Sequence, residues 1–484
     1  MKLKRLLKTI PGIEVRGSKE IEITGVTSNS KTVVPGNLFI AKKGLSSDGS
    51  QFIEEAIATG AAAVLTDMYN PFLSKTVVQL ITKDVAALEA VIANIFYEDP
   101  SKHLFTVGVT GTSGKTTTTY MIRHLLQELI GMTGLIGTVE WIVADQYLPS
   151  NMTTPEIITT LKLMREMRGV GCKACVMEVS SHALTQRRVT GIDYDVAVFT
   201  NLSQDHLDYH KDMQSYAQAK ALLFASLQDS SKTAVINLDS PWGVMMFAQS
   251  AASRKITYGI ENEADLMAEG IVMGHESTEF YVVYKAKKYL FITSMIGRFN
   301  VYNLLASIAV GLAKGFLMPD IIQALGSFSD VPGRLQKVPN DRGLHIFVDY
   351  SHKPDALENV LLTLQALKKG RLICLFGCGG NRDQGKRALM GSIAERLADR
   401  VILTSDNPRS EDPLEIIRQI IQGVADASAV TVEPDRRLAI HNAVQDMRRE
   451  DILLIAGKGH ETYQLFGRHQ VEFDDRCVAQ DSCK

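Results

Sequence analysis

The stretch FTVGVTGTSGKTTT, residues 105–118, decides the fold of the segment around it. It begins as an alternating apolar strand, continues as a glycine-rich turn and ends as the start of a threonine-rich helix. A helix N-terminus after such a turn surrounds an anion with backbone N–H groups, and Lys115 adds a positive charge for a phosphate. Thr116 supplies a hydroxyl suited to Mg²⁺. Phosphate loops usually have glycine where this chain has Val109, with Gly111 inside the loop instead, but a strand followed by GKTT still predicts binding of ATP or GTP.

Composition limits the class of protein. With 484 residues the chain is too long for one core, and usual domain sizes predict about three domains. The net charge of −2 gives no reason to expect nucleic acid or an anionic membrane as a partner. No apolar run reaches the roughly 18 residues of a membrane-spanning helix, and the start MKLKRLLKTIPG lacks the apolar core of a signal peptide. We therefore expect a cytoplasmic protein.

The cysteines favour packing over metal binding. Cys172 and Cys175 have the CxxC spacing, but no second CxxC and no histidine pair follow at the distance of a zinc finger. They flank an apolar run that is typical of a buried strand, so we expect packed thiols. The other four cysteines are scattered and are expected to be reduced.

The order of the apolar runs predicts an α/β protein of three domains. Residues 1–98 carry short β-like runs around one helical pattern, which indicates a small α/β unit. Residues 99–332 alternate strands with helices, which predicts a mainly parallel sheet carrying the phosphate loop, with an antiparallel hairpin near 265–295. Residues 333–484 repeat the alternation, as expected for a second, doubly wound sheet of the Rossmann type.

Reactive side chains follow the predicted strands, at the edge where ligands bind in parallel sheets. Glu178 stands where a phosphate-loop enzyme places a ligand for Mg²⁺, and His206, after the next strand, is a softer and less usual candidate. By its pattern alone, Lys220 is predicted to be a solvated lysine on an amphipathic helix.

The last domain repeats this arrangement on several strands. His352, Arg382 and the loops 405–413 and 456–463 follow successive apolar runs. Glycines beside charged residues at strand ends allow the backbone to approach a ligand closely. These loops together predict a face that binds an anionic ligand.

A family resemblance is carried by nine segments in chain order. They are TGTSGKTT, MEVSSHAL, TNLSQDHLDYH, GRFNVYN, PGRLQ, VDYSHKPDAL, GCGGNRDQGKR, DNPRSEDP and GKGHETY. Together they resemble the Mur ligases of peptidoglycan synthesis, and among these the enzymes that add the third residue to UDP-N-acetylmuramoyl-L-alanyl-D-glutamate. The resemblance spans nearly the whole chain and is most specific from residue 106 onward. It implies a UDP-sugar-binding domain at 1–98, a central ATPase domain at 99–332 and a domain for the incoming amino acid at 333–484.

The resemblance also implies the residues of the ATP and metal sites. The ATP phosphates are bound by Gly111, Thr112, Ser113, Gly114, Lys115, Thr116 and Thr117, and the nucleotide is lined by Asn303, Arg334 and Asp349. The Mg²⁺ positions are Thr116, Glu178, His206 and Lys220. In this family the lysine is carbamylated, and a carbamate turns a cation into an anionic ligand that can hold a second Mg²⁺. The catalytic residues are Lys115, Glu178, His206 and Lys220, with His352 as a candidate for orienting or accepting protons.

The remaining contacts belong to the two organic substrates. The muramoyl-dipeptide side is assigned to Thr153, Thr154, Ser180, Gln186 and Arg188. The uridine side is assigned to Ser30, Leu45, Ser46 and Ser47. The contacts to meso-2,6-diaminopimelate are Arg382, Asp406, Asn407, Pro408, Arg409, Gly457 and Glu461.

The choice of amino acid is implied by DNPR, residues 406–409. The resemblance makes this turn the mark of enzymes that take meso-2,6-diaminopimelate, whereas lysine-adding relatives lack the arginine. Diaminopimelate carries a second carboxylate at its far end, which a guanidinium binds through two parallel hydrogen bonds. For lysine, Arg409 would face an ammonium and repel it, while Glu461 is suited to bind an ammonium.

The chain departs from the family near the uridine side. Relatives usually have Asp-Ser-Arg where this chain has Asn29-Ser30-Lys31. Their common Asp-Gly-His is here Asp48-Gly49-Ser50, and Met152 stands where an asparagine often precedes the two threonines. These changes affect the uridine-side assignments and leave the ATP and amino-acid sites unchanged.

The implied activity is an ATP-dependent amide ligation in cytoplasmic peptidoglycan precursor synthesis. The γ-carboxylate of D-Glu is phosphorylated to an acyl phosphate, and the amine of diaminopimelate then displaces phosphate. ATP, two Mg²⁺ ions and a carbamate on Lys220 are the expected cofactors, small molecules the expected partners, and a monomer the expected state. Two alternatives stay open: another ligase of the superfamily, such as folylpolyglutamate synthase, and a phosphate-loop switch or transport ATPase.

Overall fold

The structure of the protein is a computed structural model that describes residues 1–44 and 47–484. The chain divides into two compact units, Met1–Thr257 with Val310–Gly315 and Tyr258–Ala309 with Phe316–Lys484. No helix in the described part of the chain is both long enough and apolar enough to cross a membrane.

The first unit begins with a small, mostly parallel sheet. Its strands are β1 (Glu14–Arg16), β2 (Gly25–Thr27), β3 (Asn37–Ile40), β4 (Ala63–Thr66) and β5 (Val78–Ile81), in the order β1-β5-β4-β3-β2. Its helices are α1 (Leu3–Leu6), α2 (Ile53–Ala58) and α3 (Val85–Tyr97). Strands β3 and β4 are buried throughout, as expected for parallel strands covered on both faces.

The main sheet of the first unit carries the glycine-rich turn. Its strands are β6 (Phe105–Thr110), β7 (Thr133–Ile136), β8 (Glu140–Val143), β9 (Gln146–Pro149), β10 (Ala174–Glu178), β11 (Val196–Phe199), β12 (Thr233–Asn237) and β13 (Arg254–Gly259). Its helices are α4 (Lys115–Ile130), α5 (Ile157–Gly169), α6 (Ser181–Thr185), α7 (Leu207–His210), α8 (Met213–Ala225) and α9 (Gly243–Gln249). Strand β6 pairs in parallel with β10 on one side and β11 on the other. The loops after these three strands therefore open at one edge of the sheet.

The second unit contains a hairpin region and a doubly wound sheet. The hairpin strands β14 (Leu266–Met273), β15 (Thr278–Tyr284) and β16 (Lys287–Thr293) are antiparallel, as predicted. Helices α10 (Arg298–Lys314) and α11 (Met318–Gly326) follow them along the chain.

The doubly wound sheet has the order β17-β18-β22-β19-β20-β21. Its strands are β17 (Gln336–Lys337), β18 (His345–Asp349), β19 (Leu372–Phe376), β20 (Arg400–Leu403), β21 (Val430–Val432) and β22 (Ile452–Ala456). Its helices are α12 (Pro354–Leu367), α13 (Gly385–Leu397), α14 (Pro413–Ile421), α15 (Arg436–Asp446) and α16 (Asp475–Ser482), and a separate hairpin is formed by β23 (Tyr463–Phe466) and β24 (His469–Glu472). All pairs from β18 to β21 are parallel.

Two apolar cores cover the faces of this sheet, because alternate residues of a strand point to opposite sides. In β22, Leu454 belongs to the core that includes α12 and α13, and Leu453 belongs to the core that includes α15 and α16. A fully buried ion pair joins Arg436 of α15 to Asp475 of α16, with Nη2–Oδ2 at 2.7 Å. The same guanidinium donates to the carbonyl oxygen of Ala456 at the end of β22, so the helices are fixed against the edge where the site loops begin.

The cysteines behave as the sequence predicts. Cys172, Cys175, Cys374 and Cys378 are buried free thiols. Burial raises the pKa of the Cys374 thiol to about 12. A thiol that stays protonated neither binds a metal nor attacks a disulfide readily.

Candidate active site

The turn after β6 needs its two outer glycines. Gly111 has φ +152°, and a Cβ atom at this position would collide with Thr200 Oγ1. Gly114 has φ +85° and precedes the first residue of α4. The turn is held to the end of the neighbouring strand, because Thr112 N donates to the carbonyl oxygen of Asn201 at 2.9 Å. The N-terminus of α4 is thereby exposed at the sheet edge as a site for an anion.

Two lysines converge on this turn. Lys115 Nζ donates to the carbonyl oxygens of Gly111 and Thr112, both at 2.9 Å. Lys220 Nζ, from α8, donates to the same Gly111 oxygen at 2.8 Å and lies 4.6 Å from the ring centroid of Tyr216. Lys220 is 1% exposed, so the pattern-based expectation of a solvated lysine is wrong. Its helix is buried on several sides, and the lysine points to the phosphate turn.

Glu178, the last residue of β10, faces the start of α4. Thr116 Oγ1 donates to both carboxylate oxygens, at 3.1 and 3.2 Å. The backbone N–H of Thr138 donates to Oε1 at 2.8 Å and its hydroxyl to Oε2 at 3.0 Å. A Cβ at Gly137 would lie 2.7 Å from Oε1, so that residue must be small. The strand-end carboxylate and the Thr116 hydroxyl therefore meet where the sequence predicted.

His206 lies in a cluster of rings after β11. Its ring centroid is 4.8 Å from that of His182 and 6.1 Å from that of Tyr216, the residue that also contacts Lys220. His206 has a left-handed backbone, with φ +54°, and its Nε2 is 3.3 Å from Asp205 Oδ2. Burial lowers the pKa of His182, and the nearby Lys220 lowers it further. His206 and the buried lysine therefore both lie next to Tyr216.

The residues assigned to the muramoyl-dipeptide form one hydrogen-bonded group next to Glu178. Thr154 Oγ1 donates to the carbonyl oxygen of Glu178 at 2.9 Å and accepts from Ser180 N at 3.0 Å. Thr153 Oγ1 lies within hydrogen-bond distance of Thr138 Oγ1, at 3.0 Å. The structure therefore brings the threonine pair and Ser180 close to Glu178, through its backbone carbonyl and through Thr138.

Arg188 contacts Gln186 of this group and also Glu156. Its Nη2 donates to Gln186 Oε1 at 2.5 Å, and its Nε is 3.0 Å from Glu156 Oε1. The other Glu156 oxygen accepts from Lys42 at 3.1 Å, and Lys42 also donates to the buried Glu89 at 2.7 Å. Burial alone would lower the pKa of Lys42, but the two carboxylates outweigh it and raise that pKa. An ion-pair chain thus runs from the end of the first sheet to Arg188.

The uridine-side assignments are described only in part. Ser30 is buried in a short 3₁₀ helix whose cap, Asn29, accepts from Lys31 N at 3.0 Å. Asn29 therefore caps this short helix, and an aspartate at this position would be able to accept the same hydrogen bond. Ser47 is exposed and accepts a backbone hydrogen bond from Gly44, whereas Leu45 and Ser46 lie outside the described residues.

In the second unit, the turn 406–409 follows β20 and is attached to the hairpin β23–β24. Arg409 has φ +53°, its N donates to Leu465 O at 2.9 Å, and its O accepts from Gly467 N at 2.6 Å. Its Nη1 donates to Gly380 O, in the loop after β19, at 2.8 Å. The guanidinium is half-buried and has further donors for a ligand.

Asn407, on the same turn, lies beside Glu461 of the neighbouring loop after β22. Asn407 Nδ2 donates to Glu461 Oε2 at 2.7 Å. The fully buried ammonium of Lys458 donates to the same oxygen at 3.1 Å and to Tyr463 O at 2.5 Å. Asp406 is buried, and a Cβ at Gly457 would lie 2.8 Å from its Oδ2. This glycine thus lets the two loops approach each other.

The nucleotide-lining assignments and His352 also belong to the second unit. Asp349 Oδ2 accepts from Leu335 N at 2.6 Å, and Arg334 lies 4.6 Å from the ring centroid of Tyr350. Burial raises the pKa of Asp349. Asn303 is buried on α10 and donates to Asn300 at 3.1 Å.

His352 is neutral at physiological pH. Burial lowers its pKa to about 3, with Lys386 and Lys353 adding to the effect. Its Nδ1 is 2.8 Å from Tyr350 O, and since a carbonyl oxygen only accepts, Nδ1 carries the hydrogen and Nε2 the lone pair. So weak a base holds a transferred proton poorly, which favours an orienting role. Arg382 is exposed on the loop after β19.

The donor set suits a metal that arrives with a nucleotide. Within residues 1–44 and 47–484, no group of three or more His, Cys, Asp and Glu side chains is placed to hold a metal ion. Mg²⁺ bound to ATP takes most of its ligands from phosphates and water, so one hydroxyl and one carboxylate suffice. Thr116 and Glu178 fit that requirement.

Comparison with known proteins identifies the family. A relative from Geobacillus thermodenitrificans (strain NG80-2), UDP-N-acetylmuramoyl-L-alanyl-D-glutamate--2,6-diaminopimelate ligase, is 43% identical, covering 100% of this chain and 99% of its own. The chain belongs to the Mur ligase family. Models described as the Mur ligase family catalytic domain, the Mur ligase middle domain and the Mur ligase glutamate ligase domain match residues 22–103, 109–311 and 333–459 of this Mur ligase. The resemblance drawn from the sequence is therefore confirmed, and so is the α/β fold class.

Solved structures agree. A diaminopimelate ligase of the same name as the relative matches this Mur ligase with a TM-score of 0.73 and 32% identity, covering 100% of this chain and 98% of its own. A folylpolyglutamate synthase from Mycobacterium tuberculosis matches with a TM-score of 0.62 over 75% of this chain and 91% of its own, but at 18% identity it shares the fold alone. The three domain boundaries stay predictions.

Several residues of this Mur ligase site were not found from its sequence. Thr138, Glu156 and Lys458 touch predicted site residues through hydrogen bonds or ion pairs, and Lys42 donates to Glu156. Thr138 and Lys42 carry no local signal, since an isolated threonine or lysine is ordinary. Lys458 stands inside the quoted GKGHETY segment, where its burial could have been suspected from the apolar strand before it.

Proposed function

We propose that this Mur ligase joins meso-2,6-diaminopimelate to the γ-carboxylate of D-Glu in UDP-N-acetylmuramoyl-L-alanyl-D-glutamate, with conversion of ATP to ADP and phosphate. One observation carries the amino-acid assignment: Arg409 and Glu461 are held on neighbouring loops at the carboxyl ends of parallel strands. A diamine with a carboxylate at each end needs a cationic and an anionic group in one site. The name of the 43% identical relative supports the same substrate.

The first step is phosphorylation of the acceptor. An oxygen of the D-Glu γ-carboxylate attacks the γ-phosphorus, the bond to the ADP oxygen breaks, and an acyl phosphate forms. Lys115 and the N-terminus of α4 stabilise the negative charge on the transferring group. Thr153, Thr154, Ser180, Gln186 and Arg188 orient the acceptor beside this charge. Their hydrogen-bonded arrangement next to Glu178 supports that role.

Mg²⁺, held by Thr116, Glu178 and His206 together with the nucleotide, would neutralise phosphate charge. The convergence of Lys115 and Lys220 on one carbonyl oxygen supports carbamylation of Lys220. Two ammonium groups so close repel each other, whereas a carbamate would pair with Lys115 and offer oxygen ligands to a second cation. The carbon dioxide adds to the neutral amine, and the proton released goes to solvent.

The second step forms the amide. The neutral amine of diaminopimelate attacks the acyl carbon, the bond to the phosphate oxygen breaks, and the amine proton passes to solvent or base. Arg409 and Arg382 bind carboxylate, and Asn407 and Glu461 orient the amine end of the amino acid. Asn303, Arg334 and Asp349 line the nucleotide, and His352, neutral at pH 7, orients the reacting groups through Nε2.

One assay tests the reaction. ADP release is measured with UDP-N-acetylmuramoyl-L-alanyl-D-glutamate and either meso-diaminopimelate, L-lysine or no amine. The mass of the product is measured by mass spectrometry. We expect sustained release only with diaminopimelate. Release without any amine would favour a switch or transport ATPase, and stimulation by glutamate with a folate acceptor would favour the folylpolyglutamate alternative.

The carbamate has its own test. Native mass spectrometry in bicarbonate buffer should show one added carbon dioxide, which is absent from Lys220→Arg and removed by acid. An active preparation without this mass would remove the carbamate from the scheme. We further propose a monomer in the cytoplasm that uses small-molecule substrates only, which sedimentation and cell fractionation check.

A further inference from the structure

We propose that Arg387 is a positioning residue for the amino-acid site: it clamps the loop after β19 to the turn after β20 and thereby aims the guanidinium of Arg409. The proposal rests on the proposed function, because it deepens the account of how the far carboxylate of diaminopimelate is selected. Arg387 lies on α13 and needs no contact with the substrate.

Arg387 is completely buried and uses its guanidinium as a fork. Nη1 donates to Glu411 Oε2 at 2.8 Å and Nη2 to Glu411 Oε1 at 3.1 Å. Nη1 also donates to Gln419 at 2.7 Å, and Nη2 to Gly379 O at 3.2 Å. One side chain therefore holds a residue of each loop and a residue of α14. Hydrogen bonds from Arg387 lower the pKa of Glu411, so the pair is ionised at neutral pH.

The two loops also touch each other through polar contacts around this clamp. Gly380 N donates to Asn407 O at 2.9 Å, and Ser410 N and Oγ donate to Asn381 Oδ1 at 3.1 and 2.8 Å. Asn381 N donates to Glu411 Oε1, the oxygen that also accepts from Arg387. A Cβ at Gly380 would collide with the carbonyl oxygen of Pro408, so the backbones are as close as they can be.

One hydrogen bond connects this packing to the guanidinium of Arg409. Arg409 Nη1 donates to Gly380 O at 2.8 Å, so the direction of its guanidinium depends on where Gly380 lies. Gly380 is held between Gly379, which accepts from Arg387, and Asn381, which donates to Glu411. Weakening the contacts of Arg387 should move the carbonyl oxygen of Gly380 that orients Arg409, although Arg409 itself is not replaced. Bidentate binding of a carboxylate is sensitive to such a shift because both hydrogen bonds need a fixed direction.

The sheet offers a matched pair at its opposite edge. Arg371 precedes β19 and donates to Asp451, which precedes β22, at 3.0 Å from Nε and 2.7 Å from Nη2. This pair also joins an arginine to a nearly buried carboxylate of the same domain, but at the amino ends of the strands. Its loss should cost stability without moving the site loops.

The test compares Arg387→Lys and Glu411→Gln with the control Arg371→Lys. Michaelis constants are measured for diaminopimelate, ATP and the UDP-linked acceptor, together with the ratio of kcat/KM for diaminopimelate over L-lysine and with thermal unfolding. We expect the first two variants to raise KM for diaminopimelate at least about fivefold, to leave the other two constants within about twofold, and to lower the selectivity ratio. The control should leave all three constants unchanged.

The outcomes separate the two levels of the proposal. Wild-type protein that does not release ADP with diaminopimelate would overturn the proposed function itself. Wild-type turnover with an unchanged KM for diaminopimelate in both variants would overturn the role of Arg387 alone. A similar rise in all three Michaelis constants, together with a lower melting temperature, would mean that the pair only stabilises the fold. If Arg387→Lys does not fold, Glu411→Gln decides, because this side chain is 20% exposed and keeps its shape.

Discussion

Replacing Arg409 tests the amino-acid site most directly. Its backbone is fixed by Leu465 O and Gly467 N, so a substitution leaves the chain path in place. Alanine and lysine pay much the same cost for the left-handed backbone at φ +53° as arginine does. What changes is the guanidinium: the substitution removes its hydrogen bond to Gly380 O, and with it the proposed contact to the far carboxylate of diaminopimelate.

The size of the effect follows from the bonds that are lost. A hydrogen bond between charged groups contributes about 1.5–3 kcal/mol. Since about 1.4 kcal/mol is a factor of ten, Arg409→Ala should raise KM for diaminopimelate about ten- to a hundredfold. Arg409→Lys keeps the charge but loses the planar guanidinium, so its KM for diaminopimelate should lie between that of the wild type and that of Arg409→Ala. The selectivity against L-lysine should fall in the same order, because lysine has no far carboxylate to lose.

The assay is initial-rate ADP release with one substrate varied and the others saturating. KM for ATP should stay within about twofold, since the phosphate turn is unchanged. Arg418→Ala serves as the control, because this arginine lies exposed on α14 and pairs with Glu415 of its own helix. Equal increases in KM for ATP and diaminopimelate would refute the assignment of Arg409.

Three further results are expected. Glu178→Gln keeps the shape of the side chain but removes its charge and one of its two acceptor oxygens. The Mg²⁺ concentration for half-maximal ADP release should therefore rise about tenfold, and no change would contradict a metal role. Lys42→Met breaks the chain to Arg188 and should raise KM for the UDP-linked acceptor about three- to tenfold, with ATP as the internal control. Burial alone would raise the pKa of Asp451, but hydrogen bonds from Arg371 and nearby backbone N–H groups lower it. The carboxylate therefore stabilises the fold above its unfolded pKa of about 3.9 and ceases to do so as pH falls through its folded pKa. The difference in free energy of unfolding between the wild type and Asp451→Asn, measured with urea, should therefore vanish below about pH 4. A difference that does not depend on pH would contradict the pairing.

The phosphate turn was predictable because its parts are contiguous. A strand, two glycines, a lysine and a helix start occupy adjacent positions, and local sterics fix their geometry whatever surrounds them. The alternating strands and helices were predictable for a similar reason, since the apolar period is a local property. Glu178 followed from its place at the end of a strand beside the turn.

Lys220 was not predictable from its own helix. Its acceptor, Gly111 O, is 109 positions away in the chain, and only the tertiary fold places α8 against the turn. The exposed face of the helix carries an apolar residue, Leu222, while Lys220 and Tyr216 lie on its buried sides, so polarity does not show which side faces solvent. The same holds for Thr138, whose contact with Glu178 depends on how the chain leaves β7. Long-range polar pairs of this kind leave no period in the sequence.

The conformation of the turn 406–409 depends on contacts with residues far away in the sequence. Asn407 Oδ1 accepts from Leu465 N at 3.0 Å, and Arg409 forms a parallel bridge with Phe466, so the turn is joined to the edge of the hairpin β23–β24. The hairpin fixes the backbone of Arg409, and Gly380 fixes the direction of its side chain. Two independent restraints act on one guanidinium, each of them through backbone atoms. A change at either restraint should therefore weaken selectivity by degrees, whereas loss of the guanidinium should remove it, since we propose that its charge selects the far carboxylate.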